Sequence, residues 1–470
     1  MLKVYDGNIT GSVYQEPDFQ YVFSCVDFIA AVDFMNKECF MHLKLFFAVI
    51  VYLLLNYTCV YAGQPGDFHE KYKLEQVLVL SRHNIRTPLS GSGSALARIT
   101  PHKWFEWTSG PADLSLRGGE LETLMGQYFR KWLVKEKLIT ENYIPRRGEM
   151  LFYSNSRYRT IATAQYFAGG MLPVANVRIR YNMEPGGMDP VFHPKLTFSG
   201  DNYHKIVLHQ LEEKYGGAGL PVLRKELEEN YRLIGNILDM EHSEMALKDN
   251  FPRLRTDDIN IVLTAGKEPA VKGSLRLAVQ ASDALILQYY EEADPVKAAF
   301  GHEVSLEEWR KIGDVKDIYG SMLFKLPAVA VNVANPLLKL MRKELLSTRR
   351  RFTFLCGHET NIASVLAALQ IEPYDLPDSV ESRTPMGVKL VINKWRGKDG
   401  ESYISLDMVY QTVRQLRERT MLDLNNPPAV FPLKLQGITQ NEYGLYPVKD
   451  VLLRFDSAIA GYKSVRKNAE

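Results

Sequence analysis

Three short apolar runs punctuate the chain, and each of them stops abruptly at a polar cluster. The runs span residues 77–80, 150–153 and 352–355. Runs of this length are typical of strands that are buried on both faces of a sheet. Apolar residues with helical spacing follow the second and third clusters: Ile161, Ala164 and Ala168 after one, and Ile362, Val365, Leu366 and Leu369 after the other. The order strand, polar turn, helix predicts an α/β fold with an open sheet flanked by helices.

The segment between the second run and the third has a different pattern of apolar residues. Apolar residues recur there with helical spacing in three stretches, around residues 205–215, 223–238 and 275–290. They predict a smaller, mainly helical cap domain over residues 190–325, inserted into an α/β catalytic domain that spans residues 63–189 and 326–470. Near the end of the chain, β-rich segments at 387–392 and 403–409 flank a polar turn and predict a hairpin.

The first 62 residues differ from the rest of the chain. A Lys-containing start at Met41, an apolar run over residues 45–55 and a small residue at Ala62 predict a signal peptide over residues 41–62. The run is shorter than the roughly 20 residues that span a bilayer as a helix, so we expect no stable membrane span after cleavage. We therefore expect a periplasmic or secreted protein.

Residues 1–40 precede this signal and are a doubtful leader, which a mis-assigned start codon would explain. The alternative is a true extension with the apolar run as an internal anchor. Cleavage after Ala62 would leave Cys356 as the single cysteine of the mature chain, and its apolar neighbours predict a buried thiol.

Charge and motif content exclude several functions. The 57 Lys and Arg residues nearly balance 55 Asp and Glu residues and are mixed along the chain, so we expect no nucleic-acid partner. No HExxH motif is present, and His204 and His209 lie five positions apart, off a shared helical face. There is also no complete P-loop. We therefore expect neither a metal ion nor a cofactor.

The candidate catalytic and binding residues lie in the polar clusters. Ligands of open α/β sheets bind at the carboxyl ends of the strands, so the three clusters are expected to share one crevice. The first cluster places His83 between Arg82 and Arg86. Guanidinium groups bind phosphate oxygens bidentately, and nearby positive charge keeps an imidazole neutral and nucleophilic. Taken alone, this spacing also fits an ordinary surface histidine with an arginine pair.

The second and third clusters complement the first. The second brings arginines to the start of a helix, where free amides also favour anions. The third supplies His358 and Glu359; a cleft that raises the pKa of Glu359 would make it a proton donor. A helix N-cap is the alternative explanation of the third cluster. Together the clusters contain a nucleophile, an oxyanion clamp and a general acid.

These motifs resemble those of the histidine acid phosphatases, the branch of the histidine phosphatase superfamily that includes bacterial glucose-1-phosphatases and phytases. The segment from Arg82 to Pro88 is similar to the family's RHGxRxP, and Arg159-Thr160 to its internal arginine motif. Leu114-Ser115 with Gly118 resembles LTxxG, and the segment from His358 to Asn361 resembles HDxN. The resemblance covers nearly all of the mature chain and implies a histidine phosphatase-like fold.

The resemblance also implies roles. His83 would attack phosphorus to form a phosphohistidine, and Glu359 would protonate the leaving group. Arg82, Arg86, Arg159 and His358 would bind the phosphate oxygens, without a metal. Arg159 is preferred to Arg157 because the family arginine directly precedes a threonine.

The substrate is then a small phosphomonoester. Leu89 stands after Pro88, where many phytases have threonine, which favours sugar phosphates such as glucose 1-phosphate. A phytase acting on inositol phosphates is the alternative. An alternative from another class is a non-catalytic protein that binds a phosphate ligand.

Two residues depart from the family pattern. Asn84 replaces the usual glycine, and we expect its tolerance of positive φ to explain the exchange. Glu359 replaces the usual aspartate, which moves the carboxyl group by one methylene. Catalysis is expected to survive this change with an altered leaving-group preference.

Overall fold

The computed structural model describes residues 66–89, 94–216 and 220–469. The predicted leader at residues 1–40 and the predicted signal peptide at residues 41–62 lie outside these ranges.

The centre of the fold is an eight-stranded sheet with the order β10-β8-β7-β1-β6-β2-β3, in which β9 pairs with β8. Strands β1, β6, β2 and β3 run parallel, and β7 joins β1 in the antiparallel direction. The strands are β1 (Tyr72–Arg82), β2 (Met150–Ser154), β3 (Ile179–Arg180), β4 (Asn260–Val262), β5 (Ala270–Lys272), β6 (Phe352–Gly357), β7 (Lys389–Gly397), β8 (Ser402–Tyr410), β9 (Ala429–Pro432) and β10 (Tyr446–Pro447).

The sequence pattern predicts these central elements correctly. The three apolar runs lie inside β1, β2 and β6, and β7 and β8 form the expected antiparallel hairpin. Cys356 in β6 is fully buried, as its neighbours predict. The predicted open α/β sheet is therefore confirmed.

Helices cover both faces of the sheet. They are α1 (Phe68–Lys71), α2 (Ala95–Arg98), α3 (Leu116–Lys135), α4 (Tyr158–Met171), α5 (Asp201–Lys214), α6 (Leu220–Ile237), α7 (Glu244–Asp249), α8 (Ser274–Glu291), α9 (Pro295–Ala298), α10 (Leu306–Leu323), α11 (Pro327–Leu345), α12 (Glu359–Ala368), α13 (Val413–Glu418) and α14 (Val448–Ala469). Side chains alternate along β1, so Val77 and Val79 pack with α3 and α4, whereas Leu78 and Leu80 pack with α11, α12 and α14. Both faces of β1 are therefore buried.

The segment between β3 and β6 is mainly helical, as predicted. Helices α5, α6, α8 and α10 share one apolar core, which also contains Ile85 after β1 and Leu121 of α3. The short antiparallel pair β4 and β5 interrupts these helices. The boundaries of a cap domain at 190–325 remain a prediction. Among the described residues, no single helix combines the length and apolar character needed to cross a bilayer; the bent pair α10 and α11 meets both measures only when taken together.

Candidate active site

The three parallel strands end level with one another. In the register of the sheet, Arg82 lies opposite Gly357, and Ser154 lies opposite Cys356. The amide of His83 donates to the Gly357 carbonyl (3.1 Å), and that of Asn155 donates to the Cys356 carbonyl (2.8 Å). The first residues beyond β1 and β2 are thereby fixed by the sheet. The three clusters meet at one edge, as the topology predicts.

His83 is held with one ring nitrogen free. Its Nδ1 lies 2.9 Å from the Asn84 carbonyl oxygen, which only accepts, so Nδ1 carries the proton and Nε2 keeps its lone pair. Burial, followed by the charges of Arg159 and Arg86, holds the pKa of His83 well below its ordinary value. The ring is therefore neutral, and Nε2 is available as a nucleophile.

Arg82 and Arg86 belong to a network of three cations and three carboxylates. Arg82 contacts Glu359 (2.7 Å) and Glu381 (2.7 Å), and its Nη1 also donates to the Thr384 carbonyl. Arg86 contacts Asp283 (2.9 Å). Lys316 joins the parts, with Nζ 2.9 Å from Asp283, 2.7 Å from Glu381 and 3.4 Å from Glu359. We call these six residues the paired flank.

The pKa of Glu359 is set by its neighbours on the paired flank. Burial raises the pKa of Glu359, but Lys316 and Arg82 outweigh burial, and the pKa lies below the ordinary value of 4.5. The condition under which the sequence made Glu359 a proton donor, a raised pKa, is therefore not met by these contacts alone. Its side chain is 35% exposed, so it faces the crevice.

The other side of the site is built from Arg159, His358 and Asn155, which we call the open flank. Arg159 forms no ion pair with a carboxylate of the described residues, and its Nη2 lies 3.5 Å from Nδ1 of His358. Burial and the charge of Arg86 lower the pKa of Arg159 to about 9. Arg157 points elsewhere, because it donates to the Gly186 carbonyl (2.6 Å). The geometry thus favours Arg159 over Arg157, as the motif does.

Asn84 is explained by its amide rather than by its backbone. It is not among the described residues with positive φ, so the expected conformational reason is wrong. Its Nδ2 donates to Glu122 (2.8 Å), which pairs with Lys389 (3.0 Å), and both charged side chains are fully buried. Gly387, at φ 68°, leaves room for this amide, because a Cβ there would lie 2.4 Å from Nδ2. The loop after His83 is thus tied to a buried ion pair.

A small cavity adjoins the paired flank beside the segment that follows β1. It measures about 90 Å³ and is lined by Arg86, Pro88, Leu89, Leu96, Val279, Gln280, Asp283, Lys316 and Glu359. Four of these residues are apolar, four are charged, and Gln280 is the uncharged polar one. A larger cavity of about 900 Å³ touches none of the six predicted site residues.

Within the ranges that the structure describes, no group of three His, Cys, Asp or Glu side chains is placed to hold a metal ion.

Comparison with known proteins agrees with this arrangement. Residues 73–231 match the histidine phosphatase superfamily (branch 2). The glucose-1-phosphatase of Providencia rettgeri is 36% identical over 377 residues, which cover 79% of this chain and 88% of that relative. The chain belongs to branch 2 of the histidine phosphatase superfamily.

Two further comparisons agree with this family assignment. The glucose-1-phosphatase of Salmonella typhimurium is 35% identical, covering 82% of this chain and 93% of that one. The structure of the Citrobacter braakii phytase has a TM-score of 0.74 at 25% identity, covering 83% of this chain and 97% of that one. The protein is a histidine acid phosphatase similar to glucose-1-phosphatases, as the motifs predict.

All six predicted site residues meet at one edge of the sheet, but sequence reasoning missed their partners. Asp283, Lys316, Glu381 and Asn155 each contact a predicted site residue. A usable signal existed for one of them, because Asp283 is a lone charge directly before the apolar stretch 284–287 of α8. Lys389, between Val388 and Leu390 in one strand of the predicted hairpin, carries the same signal.

Proposed function

We propose that this phosphatase hydrolyses phosphomonoesters by passing the phosphoryl group through His83. The observation that carries the proposal is the convergence of groups on one space. Nε2 of His83 has no hydrogen-bond partner among the described residues, and the His83 ring stands 5.5 Å from that of His358 between centroids. Nη2 of Arg159 and Nδ1 of His358 lie 3.5 Å apart, and no acceptor of the described residues lies between them. A tetrahedral oxyanion is the ligand that such a set fits.

In the first step, Nε2 of His83 attacks phosphorus, and the bond from phosphorus to the ester oxygen breaks. Arg82, Arg86, Arg159 and His358 bind the three non-bridging oxygens, whose charge they stabilise in the transition state. The departing alkoxide takes a proton from Glu359. In the second step, the Glu359 carboxylate accepts a proton from water, the water oxygen attacks phosphorus, and His83 and inorganic phosphate are released.

Glu359 acquires its proton from the encounter with substrate. In the unliganded protein Arg82 and Lys316 hold its pKa below the ordinary value. A phosphate group that binds Arg82 brings negative charge beside the carboxyl group and raises this pKa. In acidic solution the phosphate also arrives as a monoanion with a proton to share. Both effects favour activity at acidic pH.

The proposed substrates are sugar monophosphates such as glucose 1-phosphate. Two relatives of 35% and 36% identity carry the name glucose-1-phosphatase. The cavity beside Glu359 supports the same class, because its two cations, Arg86 and Lys316, both pair with Asp283. It therefore offers no unpaired cation for the additional phosphates of an inositol polyphosphate. A phytase is the second candidate, favoured by the likeness to the Citrobacter braakii phytase.

A substrate panel tests this proposal. The mature chain is assayed at acidic pH in chelator with glucose 1-phosphate, inositol hexakisphosphate and an aryl phosphate. We expect the highest kcat/KM for glucose 1-phosphate, no release by His83→Ala, and a phosphoenzyme that survives an alkaline quench but not an acidic one. Preference for inositol hexakisphosphate would support the phytase. Phosphate binding without release would identify a non-catalytic binding protein.

The proposal extends to export, with residues 41–62 as a signal peptide and a periplasmic or secreted mature chain. N-terminal sequencing of the native protein should find Gly63 first. A larger product that stays with the membrane fraction would instead support the internal anchor. Small phosphomonoesters, rather than nucleic acid, are the proposed partners.

A further inference from the structure

The side-chain amide of Asn155, directly after β2, is fixed in one orientation. Its Oδ1 accepts from the backbone amides of Ser156 (2.8 Å) and Asp189 (2.9 Å). A flipped amide would set its own N–H groups against those two donors. The Nδ2 group must therefore point the other way, where it lies 2.7 Å from Nε2 of His358 and 3.2 Å from Sδ of Met188.

This orientation assigns the proton of His358. Because Nδ2 of Asn155 only donates, Nε2 of His358 must accept, and a neutral ring then carries its proton on Nδ1. That Nδ1–H lies 3.5 Å from Nη2 of Arg159, which is also a donor. Two donors side by side, with no acceptor of the described residues between them, are suited to an oxygen from outside the protein.

We infer that Asn155 is a positioning residue that holds His358 as the Nδ1–H tautomer, so that a neutral imidazole donates a hydrogen bond to a phosphate oxygen. The inference deepens the proposed function, on which the identity of that oxygen rests. Asn155 does not touch the substrate; it acts through His358. Because the Asn155 side chain is uncharged, it keeps the Nδ1 donor of His358 in place without forming an ion pair with the ring.

The surroundings of His358 agree with a neutral ring. Burial, followed by the charges of Arg159 and Arg86, holds the pKa of His358 well below its ordinary value. The ring of His83 stands edge-on at 5.5 Å between centroids. The charges that act on His358 come from Arg82, Arg86, Arg157 and Arg159, of which Arg157 acts from a distance, and the titratable ring of His83 stands beside it.

The substitution Asn155→Asp tests the inference with little change in shape. One carboxylate oxygen keeps both backbone amides, and the other now accepts from Nε2 of His358, which raises the pKa of the imidazole. Below that pKa an imidazolium still donates from Nδ1. Above it, the remaining proton sits on Nε2, and the Nδ1 lone pair faces the phosphate oxygen.

The affinity for inorganic phosphate, measured by calorimetry from pH 5 to pH 9, reads out this change. The ratio of the variant's Kd to the wild-type Kd should rise by about tenfold per pH unit above the new pKa. Taking the ratio cancels the ionisation of phosphate itself. Asn182→Asp is the control, because Asn182 follows β3 at the same edge and contacts Tyr153 rather than His358. We expect a ratio that does not depend on pH for this control.

Long-range nitrogen–proton correlation spectra of histidine-labelled protein read the tautomer directly, with His358→Gln to assign the signal. Wild type should show the proton on Nδ1, and Asn155→Asp should show it on Nε2 at high pH. A wild-type proton on Nε2, or a Kd ratio that is constant with pH, would overturn the inference even if the enzyme hydrolyses its substrate. Conversely, the expected tautomer in a protein without phosphatase activity would overturn the proposed function alone.

Discussion

The paired flank and the open flank of the site handle charge in opposite ways. On the paired flank, Arg82, Arg86 and Lys316 meet Asp283, Glu359 and Glu381, so that three positive charges face three negative ones. On the open flank, Arg159 faces the neutral ring of His358 and the amide of Asn155, and no carboxylate of the described residues pairs with it. One flank is electrostatically complete without substrate, and the other is not.

The difference teaches where binding energy and where orientation come from. A largely buried cation without a partner is costly, which is why the pKa of Arg159 falls to about 9. An arriving phosphate removes that cost, so the open flank gains most from the anion. The paired flank gains less electrostatic stabilisation from the phosphate, because its cations already have partners. Its carboxylates instead hold Arg82 and Arg86 in place before the substrate arrives. Preorganised donors need no rearrangement during the reaction.

The largest effect should come from removing the unpaired cation. We expect Arg159→Met to lower kcat/KM by about 10³-fold, with equal losses for an alkyl and an aryl phosphate, because the arginine binds phosphoryl oxygens common to both. Folding stability should stay level or rise, since a costly buried charge is lost. Steady-state kinetics and thermal unfolding measure the two effects.

The matched control for this change is Arg157→Met. Arg157 carries the same charge two positions away but donates to the Gly186 carbonyl. A loss below about tenfold is expected, as for an indirect electrostatic effect. Equal losses in the two variants would mean that total charge, rather than the placement of Arg159, serves the phosphate.

A change on the paired flank should instead discriminate between leaving groups. We expect Glu359→Gln to reduce turnover of an alkyl phosphate by about 10²-fold, the usual scale of general acid catalysis. An aryl phosphate, whose leaving group needs no proton, should lose far less. Parallel kcat measurements on the two ester classes check this.

The variant Glu359→Asp serves as its control, because it keeps a carboxyl group and restores the residue that the family pattern usually has. It should retain most of the alkyl activity that the glutamine variant loses. Unchanged alkyl turnover in Glu359→Gln would place the proton donor on another residue.

The sequence predicts the six residues of the motifs but not the network that tunes them. His83, Arg159 and His358 follow strands that local patterns identify, and parallel strands deliver their ends to one edge of the sheet. The carboxylates of the paired flank arrive from afar: Asp283 is 197 positions from Arg86, and Glu381 is 299 positions from Arg82. No local pattern encodes such pairings.

The lowered pKa of Glu359 and the reason for Asn84 share one origin. The pKa of Glu359 depends on Lys316 of α10, which no feature near Glu359 announces. The reason for Asn84 is likewise a contact with Glu122 of α3, rather than the backbone angle of its own loop. Local sequence patterns identify the residues of the motifs, whereas the protonation and tautomer of those residues depend on their tertiary neighbours.

The smallest activity effect, with the clearest pH signature, is expected for Asp283→Asn. Kinetics should show a loss of roughly tenfold, because Arg86 keeps its place through its own bond to the Thr87 carbonyl. Stability near neutral pH should fall by about 3 kcal/mol, since Arg86 and Lys316 lose a buried carboxylate that contacts both of them at 2.9 Å. Denaturant unfolding at several pH values measures the loss.

The pH dependence of that loss follows from the pKa of Asp283. Burial raises this pKa, but Arg86 and Lys316 outweigh burial and lower it below the ordinary value of 3.8. A carboxyl group whose pKa is lower in the folded state contributes stability above its unfolded pKa and loses it as the pH falls towards the folded value. The stability difference between wild type and Asp283→Asn should therefore be constant above about pH 5 and shrink below about pH 4. A difference that persists undiminished at pH 3 would mean that Asp283 contributes by packing and hydrogen bonding instead of charge, and that the paired flank is no more electrostatically preorganised than the open one.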